Sequence, residues 1–109
     1  MTYVWCTYIT YVSAIRFEWD QAKAASSFRK HGISFAEART AFEDDEALLM
    51  PDDEHSVGEE RFVLLGLSAA LRVLVVVHCE RNDGDLIRII SARKADREER
   101  SDYVERRTP

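Results

Sequence analysis

Cysteine is scarce in this 109-residue chain. Cys6 and Cys79 could form at most one disulfide, and neither stands in a C-x-x-C pair or near a histidine at zinc-ligand spacing. A disulfide-stapled scaffold and a Cys/His zinc site are thereby excluded, and reduced thiols in a cytoplasmic protein are expected. Glycine is also sparse, and no Gly-rich phosphate loop is present; G-x-S-x-G and H-E-x-x-H are missing too. Nucleotide-driven, serine-hydrolase and zinc chemistry drop out, so no metal or cofactor is expected. Internal repeats, low-complexity tracts and linkers are likewise absent, which leaves one domain with enough apolar content (46%) for an ordinary core.

A membrane-spanning run is lacking as well. Residues 1–15 are apolar and aromatic, but no basic residues precede them, Thr2, Thr7, Thr10 and Ser13 interrupt them, and they fall short of the roughly 20 residues that span a bilayer. Neither export nor anchoring is indicated. The segment reads as an N-terminal extension, either an added strand, given its Tyr, Val, Thr and Ile, or a ragged leader, with residues 16–109 as the domain proper.

Positive charge is in deficit overall, at −5, which argues at first against a nucleic-acid enzyme. The deficit is local. Residues 43–60 hold nine acids and no Lys or Arg, so the remainder of the chain carries +4. Local fields decide what a cleft attracts. The acidic stretch itself reads either as a solvated loop or as a surface that meets a basic partner.

The residues that are present mark an α+β domain of order β-α-α-β-β-β-β-α: two N-terminal helices packed on a mainly antiparallel sheet of four to five strands, then a C-terminal helix. A short strand at residues 16–19 is followed by Asp20 as N-cap, a helix from Gln21 to about His31, and Gly32 as its stop. Ser34 and Glu37 form an S-x-x-E capping box for a second short helix ending near Phe42. A strand at residues 47–50 is closed by Pro51 before the acidic loop 52–60. Strands follow at 61–68, 72–79 and 86–92, the last two joined by Asn82-Asp83-Gly84-Asp85. The apolar Val73-Leu74-Val75-Val76-Val77 run suits a central strand covered on both faces. Residues 96–107 are charged nearly all round and suit a peripheral helix that needs docking for full order.

Cationic and proton-transfer side chains gather near strand ends: Arg61, His78, Glu80, Arg81, Arg88, Arg93 and Lys94, with Lys30 and His31 at a helix terminus. RNA cleavage through the ribose 2′-OH without a metal needs such a set, to accept a proton, neutralise the phosphorane and protonate the departing oxygen. His78 and Glu80, two apart on one strand, emerge on one face and read as an acid/base pair or as a partly buried histidine beside a rim carboxylate. Arg88, within Ile87-Arg88-Ile89-Ile90, either binds substrate or pairs with a buried anion. Arg93 and Lys94 read as phosphate contacts or a solvated strand end. Lys30 and His31 read as RNA contacts or as favourable charges at a helix C-terminus. His55, in the acidic loop, reads as surface.

Taken together, five ordered blocks resemble the BrnT family of type II toxins: F-E-W-D (residues 17–20) with Lys23, R-K-H-G-I-S-F-x-E-A (29–38), E-E-R-F (59–62), V-V-V-H-C-E-R (75–81), and I-R-I-I-S-A-R-K-A (87–95) followed by R-x-E-R (97–100). The resemblance implies a RelE-like fold and a metal-independent endoribonuclease that inhibits translation and growth. It implies neutralisation by a BrnA-like antitoxin, so that operator DNA is met only through that antitoxin. Carried over by position, it points to Lys30, His31, Arg61, Arg81, Arg88 and Arg93, with Glu80 beside them. The competing reading is a non-catalytic interaction module whose arginines pair with a DNA-binding partner.

Overall fold

The computed structural model describes residues 15–52, 60–81 and 84–107. The expected N-terminal strand, His55 with most of the acidic loop, and the first half of the 82–85 turn lie outside the described residues. The elements are β1 (Arg16–Glu18), α1 (Gln21–His31), α2 (Phe35–Thr40) with a 3-10 turn (Ala41–Glu43), β2 (Leu48–Pro51), β3 (Arg61–Leu67), β4 (Val73–Arg81), β5 (Leu86–Lys94) and α3 (Arg97–Arg107).

Local chemistry sets the helix ends. Asp20 Oδ1 accepts from the N–H groups of Ala22 (2.8 Å) and Lys23 (3.4 Å), and Gly32, at φ 75°, takes the left-handed conformation that closes α1. Ser34 Oγ accepts from Glu37 N–H at 3.0 Å. The Glu37 carboxylate binds Arg72 and accepts from Ser68 Oγ (2.7 Å), so it ties the β3–β4 turn to α2. The Arg72 hydrogen bond holds the Glu37 carboxyl below its ordinary range.

The sheet order is β1-β5-β4-β3-β2. Three pairings are antiparallel, while β1 joins β5 in parallel, so the sheet is mixed. The reason is the path of the chain: β2 to β5 follow one another as neighbours, and the two helices carry the chain from β1 at one edge to β2 at the other.

Strand alternation divides the side chains between two layers. On one face Ile33, Phe35, Ala38 and Ala41 pack with Leu64, Leu74, Val76, Ile87, Ile89 and Ala92. Truncating a buried side chain such as Phe35 to alanine would cost about 3–5 kcal/mol. On the other, Tyr103 of α3 and Ala95 pack with Leu65 and Val75. Central strand β4 is therefore covered on both sides, as its apolar run suggests. No helix among the described residues is long and apolar enough to cross a membrane.

Candidate nucleic-acid interface

In β4–β5 the pairs run Val77 with Ser91 and then His78 with Ile89, which leaves Ile90 as an extra residue on β5. This bulge shifts the alternation by one. It keeps Ile87 and Ile89 in the core beneath α1 and α2 and sends Arg88 to the opposite face, the one that α3 partly covers.

The register then places Glu18, Arg88, Cys79 and Arg61 in one row across β1, β5, β4 and β3. The next row toward the strand ends holds Arg16, Leu86 and Arg81. Arg61 and Arg88 stand two strands apart, roughly 10 Å across the sheet, with the buried Cys79 as floor between them. Arg88 Nη1 donates to Glu18 Oε2 at 3.1 Å and Arg81 Nη1 to the same oxygen at 3.4 Å. Arg61 Nε lies 4.0 Å from Asp52 Oδ2. The three arginine side chains are between 30% and 40% exposed, although Arg61 Nε itself is buried.

His78 and Glu80 occupy the other face. The His78 ring is wholly buried, stacked on Phe62 (centroids 5.9 Å apart) and edge-on to Phe42 (4.8 Å). Its Nε2 is 3.5 Å from Glu80 Oε2 and its Nδ1 3.5 Å from Val76 O. Burial pulls the imidazole below its ordinary pKa, against the opposing pull of the Val76 carbonyl and Glu80, so the ring is held neutral. Glu80 is the half-buried member of the pair and the one that solvent reaches.

Arg93 shares the Arg88 face but not its row. Its two Nη atoms donate to the two carboxylate oxygens of Glu99, at 2.8 and 2.9 Å. That hydrogen bond raises the Arg93 pKa and lowers that of Glu99. Lys94 is exposed at the end of β5. Lys30 and His31 are exposed on the last turn of α1, in the helical layer behind the sheet. The structure thus brings together Arg61, Arg81 and Arg88, and separately His78 and Glu80.

Glu18 is the site residue that sequence reasoning passed over. Its signal was the F-E-W-D block, but an edge strand of three residues does not reveal which neighbour it pairs with. Among the described residues no cluster of three or more His, Cys, Asp or Glu side chains is arranged to hold a metal ion.

Comparison with known proteins bears on this arrangement. A family model described as the ribonuclease toxin BrnT of type II toxin–antitoxin systems matches residues 19–99. The 1.1 Å crystal structure of the Brucella abortus ribonuclease toxin BrnT is similar at a TM-score of 0.59 and 21% identity, over 76% of this chain and 99% of that one. At that identity the structural likeness speaks for the fold. No curated protein gives a match.

Proposed function

The chain belongs to the BrnT family of ribonuclease toxins of type II toxin–antitoxin systems, and from that premise we propose that it is a metal-independent endoribonuclease of RelE-like fold whose reaction is held on the arginine row of the sheet. In this reading the toxin acts in the cytoplasm, cuts RNA, halts translation and growth, and is neutralised by a BrnA-like antitoxin that alone contacts operator DNA.

The observation that carries the reading is the common face of Arg61, Arg81 and Arg88. A phosphodiester lying over Cys79 would have a guanidinium on either side. When the 2′-oxygen attacks phosphorus, its proton passes to solvent water and charge gathers on the non-bridging oxygens. The bond to the 5′-oxygen then breaks and that oxygen takes up a proton from water, leaving a 2′,3′-cyclic phosphate. Arg88, hydrogen-bonded to Glu18, and Arg61, 4.0 Å from Asp52, meet that charge. Glu18 accepts from two arginines and serves to hold them. Lys94, Lys30 and His31 add attraction for the strand at longer range, and Arg93 acts mainly through Glu99. The His78–Glu80 pair packs behind the sheet, with Glu80 at its rim.

Incubation of the purified chain with a defined RNA in EDTA, beside Arg88→Ala of matched folding, tests this. Cleavage by the wild type alone is expected. Absence of cleavage by either would favour the interaction-module reading.

A further inference from the structure

Arg61 and Arg88 are not the last cations on their face of the sheet. Arg81 pairs with Leu86 across β4–β5, and Leu86 pairs with Arg16 across β5–β1. Each stands two residues from a member of the first row, so Arg16, Leu86 and Arg81 share the face of Glu18, Arg88 and Cys79. The first row is thereby repeated. Two arginines again lie two strands apart, with half-buried Leu86 between them in place of buried Cys79. Arg81 Nη1 donates to Glu18 Oε2 at 3.4 Å, which draws its guanidinium off β4 toward β1, the strand that carries Arg16. Arg16 is exposed and makes no ion pair among the described residues.

The spacing of the two pairs suits successive phosphates. Two residues along a strand and one strand across separate Cys79 from Leu86 by about 8 Å. One nucleotide of extended RNA, with the flexible arginine heads on either side, covers that distance. The opposite direction offers an anion nothing comparable. Val63 and Val77 follow Arg61 and Cys79 on that side, and Arg93 already donates both Nη atoms to Glu99. Farther on, Tyr103 of α3 packs on Leu65 and Val75, and Glu98, Asp102 and Glu105 are exposed on the helix. Such carboxylates repel a phosphate backbone.

We propose that Arg16 and Arg81 form a second phosphate site, which holds the phosphodiester next to the one placed between Arg61 and Arg88. RNA then crosses the face obliquely, from Cys79 over Leu86, and leaves past the start of β1, away from α3. Leu86 gives the intervening nucleotide an apolar contact. Arg16 binds substrate and takes no part in the bond changes, and the smallest RNA that fills both sites has two phosphodiesters. The proposal rests on the reading of the arginine row as the RNA contact and adds Arg16, a direction and a minimum length to it.

The test is fluorescence anisotropy on the full chain, at low salt in EDTA, with dye-labelled 2′-O-methyl oligonucleotides of two and three residues that lack terminal phosphates. The 2′-O-methyl group removes the attacking hydroxyl, so binding is read without cleavage. The trinucleotide, with two phosphodiesters, binds about tenfold more tightly than the dinucleotide, and an uncharged methylphosphonate at one of its linkages abolishes that gain. Arg16→Ala, at an exposed position, weakens the trinucleotide about tenfold and the dinucleotide less than about twofold, with circular dichroism unchanged. Arg16→Lys keeps the charge and retains most of the gain. The losses from Arg16→Ala and from the methylphosphonate do not add, because both remove the same contact. A length gain that survives Arg16→Ala, or equal weakening of both oligonucleotides by that variant, would overturn the second site and leave the first row standing. Unchanged binding of both oligonucleotides by Arg61→Ala and Arg88→Ala would remove the row itself, and the second site with it.

Discussion

Arg61, Arg88 and Arg93 are alike in sequence context, but their surroundings differ. Arg61→Ala and Arg88→Ala remove partly exposed cations on either side of Cys79, so RNA cleavage should fall roughly 100- to 1,000-fold, about 2.7–4 kcal/mol, with little change in urea midpoint. Arg93→Ala breaks a bidentate pair, and after discount for its partial exposure it should lower stability by about 1 kcal/mol with a smaller loss of rate. The ratio of cleavage loss to stability loss across the three variants checks this. His78 provides a pH prediction. Its folded pKa lies below the ordinary 6.5, so the unfolded chain binds the extra proton first. Stability attributable to His78 is then full above about pH 6.5 and declines as pH falls below it, at up to about 1.4 kcal/mol per pH unit. Urea midpoints between pH 5 and 8 should show that slope, and His78→Phe, which keeps a ring between Phe42 and Phe62, should flatten it. The proximity of His78 to Glu80 and a partly buried ring were legible from strand alternation, but its complete burial was not, because Phe42 and Phe62 arrive from other elements. Asp44 was equally hidden. Within an acidic run it reads as solvated, yet it accepts from Leu67 N–H (2.8 Å) and Tyr103 OH (2.5 Å).

Among the elements, α1 was readable to the residue at both ends because Asp20 and Gly32 act locally. The sheet was readable in its hairpins and not at its edge, since nothing in Arg16–Glu18 states that it lies parallel to β5. The bulge at Ile90 was also invisible: an apolar run with one arginine fits either register until β4 is beside it. That one residue decides whether Arg88 points into the core or onto the arginine row. Helix α3, charged nearly all round, is held by particular bonds. Asp96 Oδ1 accepts from Glu99 N–H (2.8 Å), Glu99 Oε1 accepts from Asp96 N–H (2.9 Å), and Tyr103 reaches Asp44. Glu99→Ala removes the capping box and the Arg93 pair together and should cost about 1–2 kcal/mol. Tyr103→Phe should cost about 1 kcal/mol through its lost hydrogen bond. Amide exchange localised to residues 97–107 would confirm that the loss is in docking of this helix.

At the scale of the whole molecule, the net charge of −5 hides a partition. Arginines cluster at one end of the sheet face, while Glu98, Asp102 and Glu105 are exposed on α3, whose Tyr103 packs on Leu65 and Val75 further along that face. The uneven charge was visible in the chain, but its placement required the register of four strands. If Arg61, Arg81 and Arg88 are the principal phosphate contacts, log affinity for single-stranded RNA should fall against log salt with a slope of about −2, and Arg61→Ala should reduce that slope by about 0.7. A slope near zero would remove the arginine row as the RNA contact. The central claim is that this row, and not the His78–Glu80 pair behind it, carries RNA cleavage. Single-turnover cleavage of one defined RNA by wild type, Arg88→Ala and His78→Phe, matched for folding, tests it most directly. The account predicts a loss of at least about 100-fold for Arg88→Ala and a rate within a few-fold of wild type for His78→Phe; full activity in Arg88→Ala together with loss in His78→Phe would contradict it.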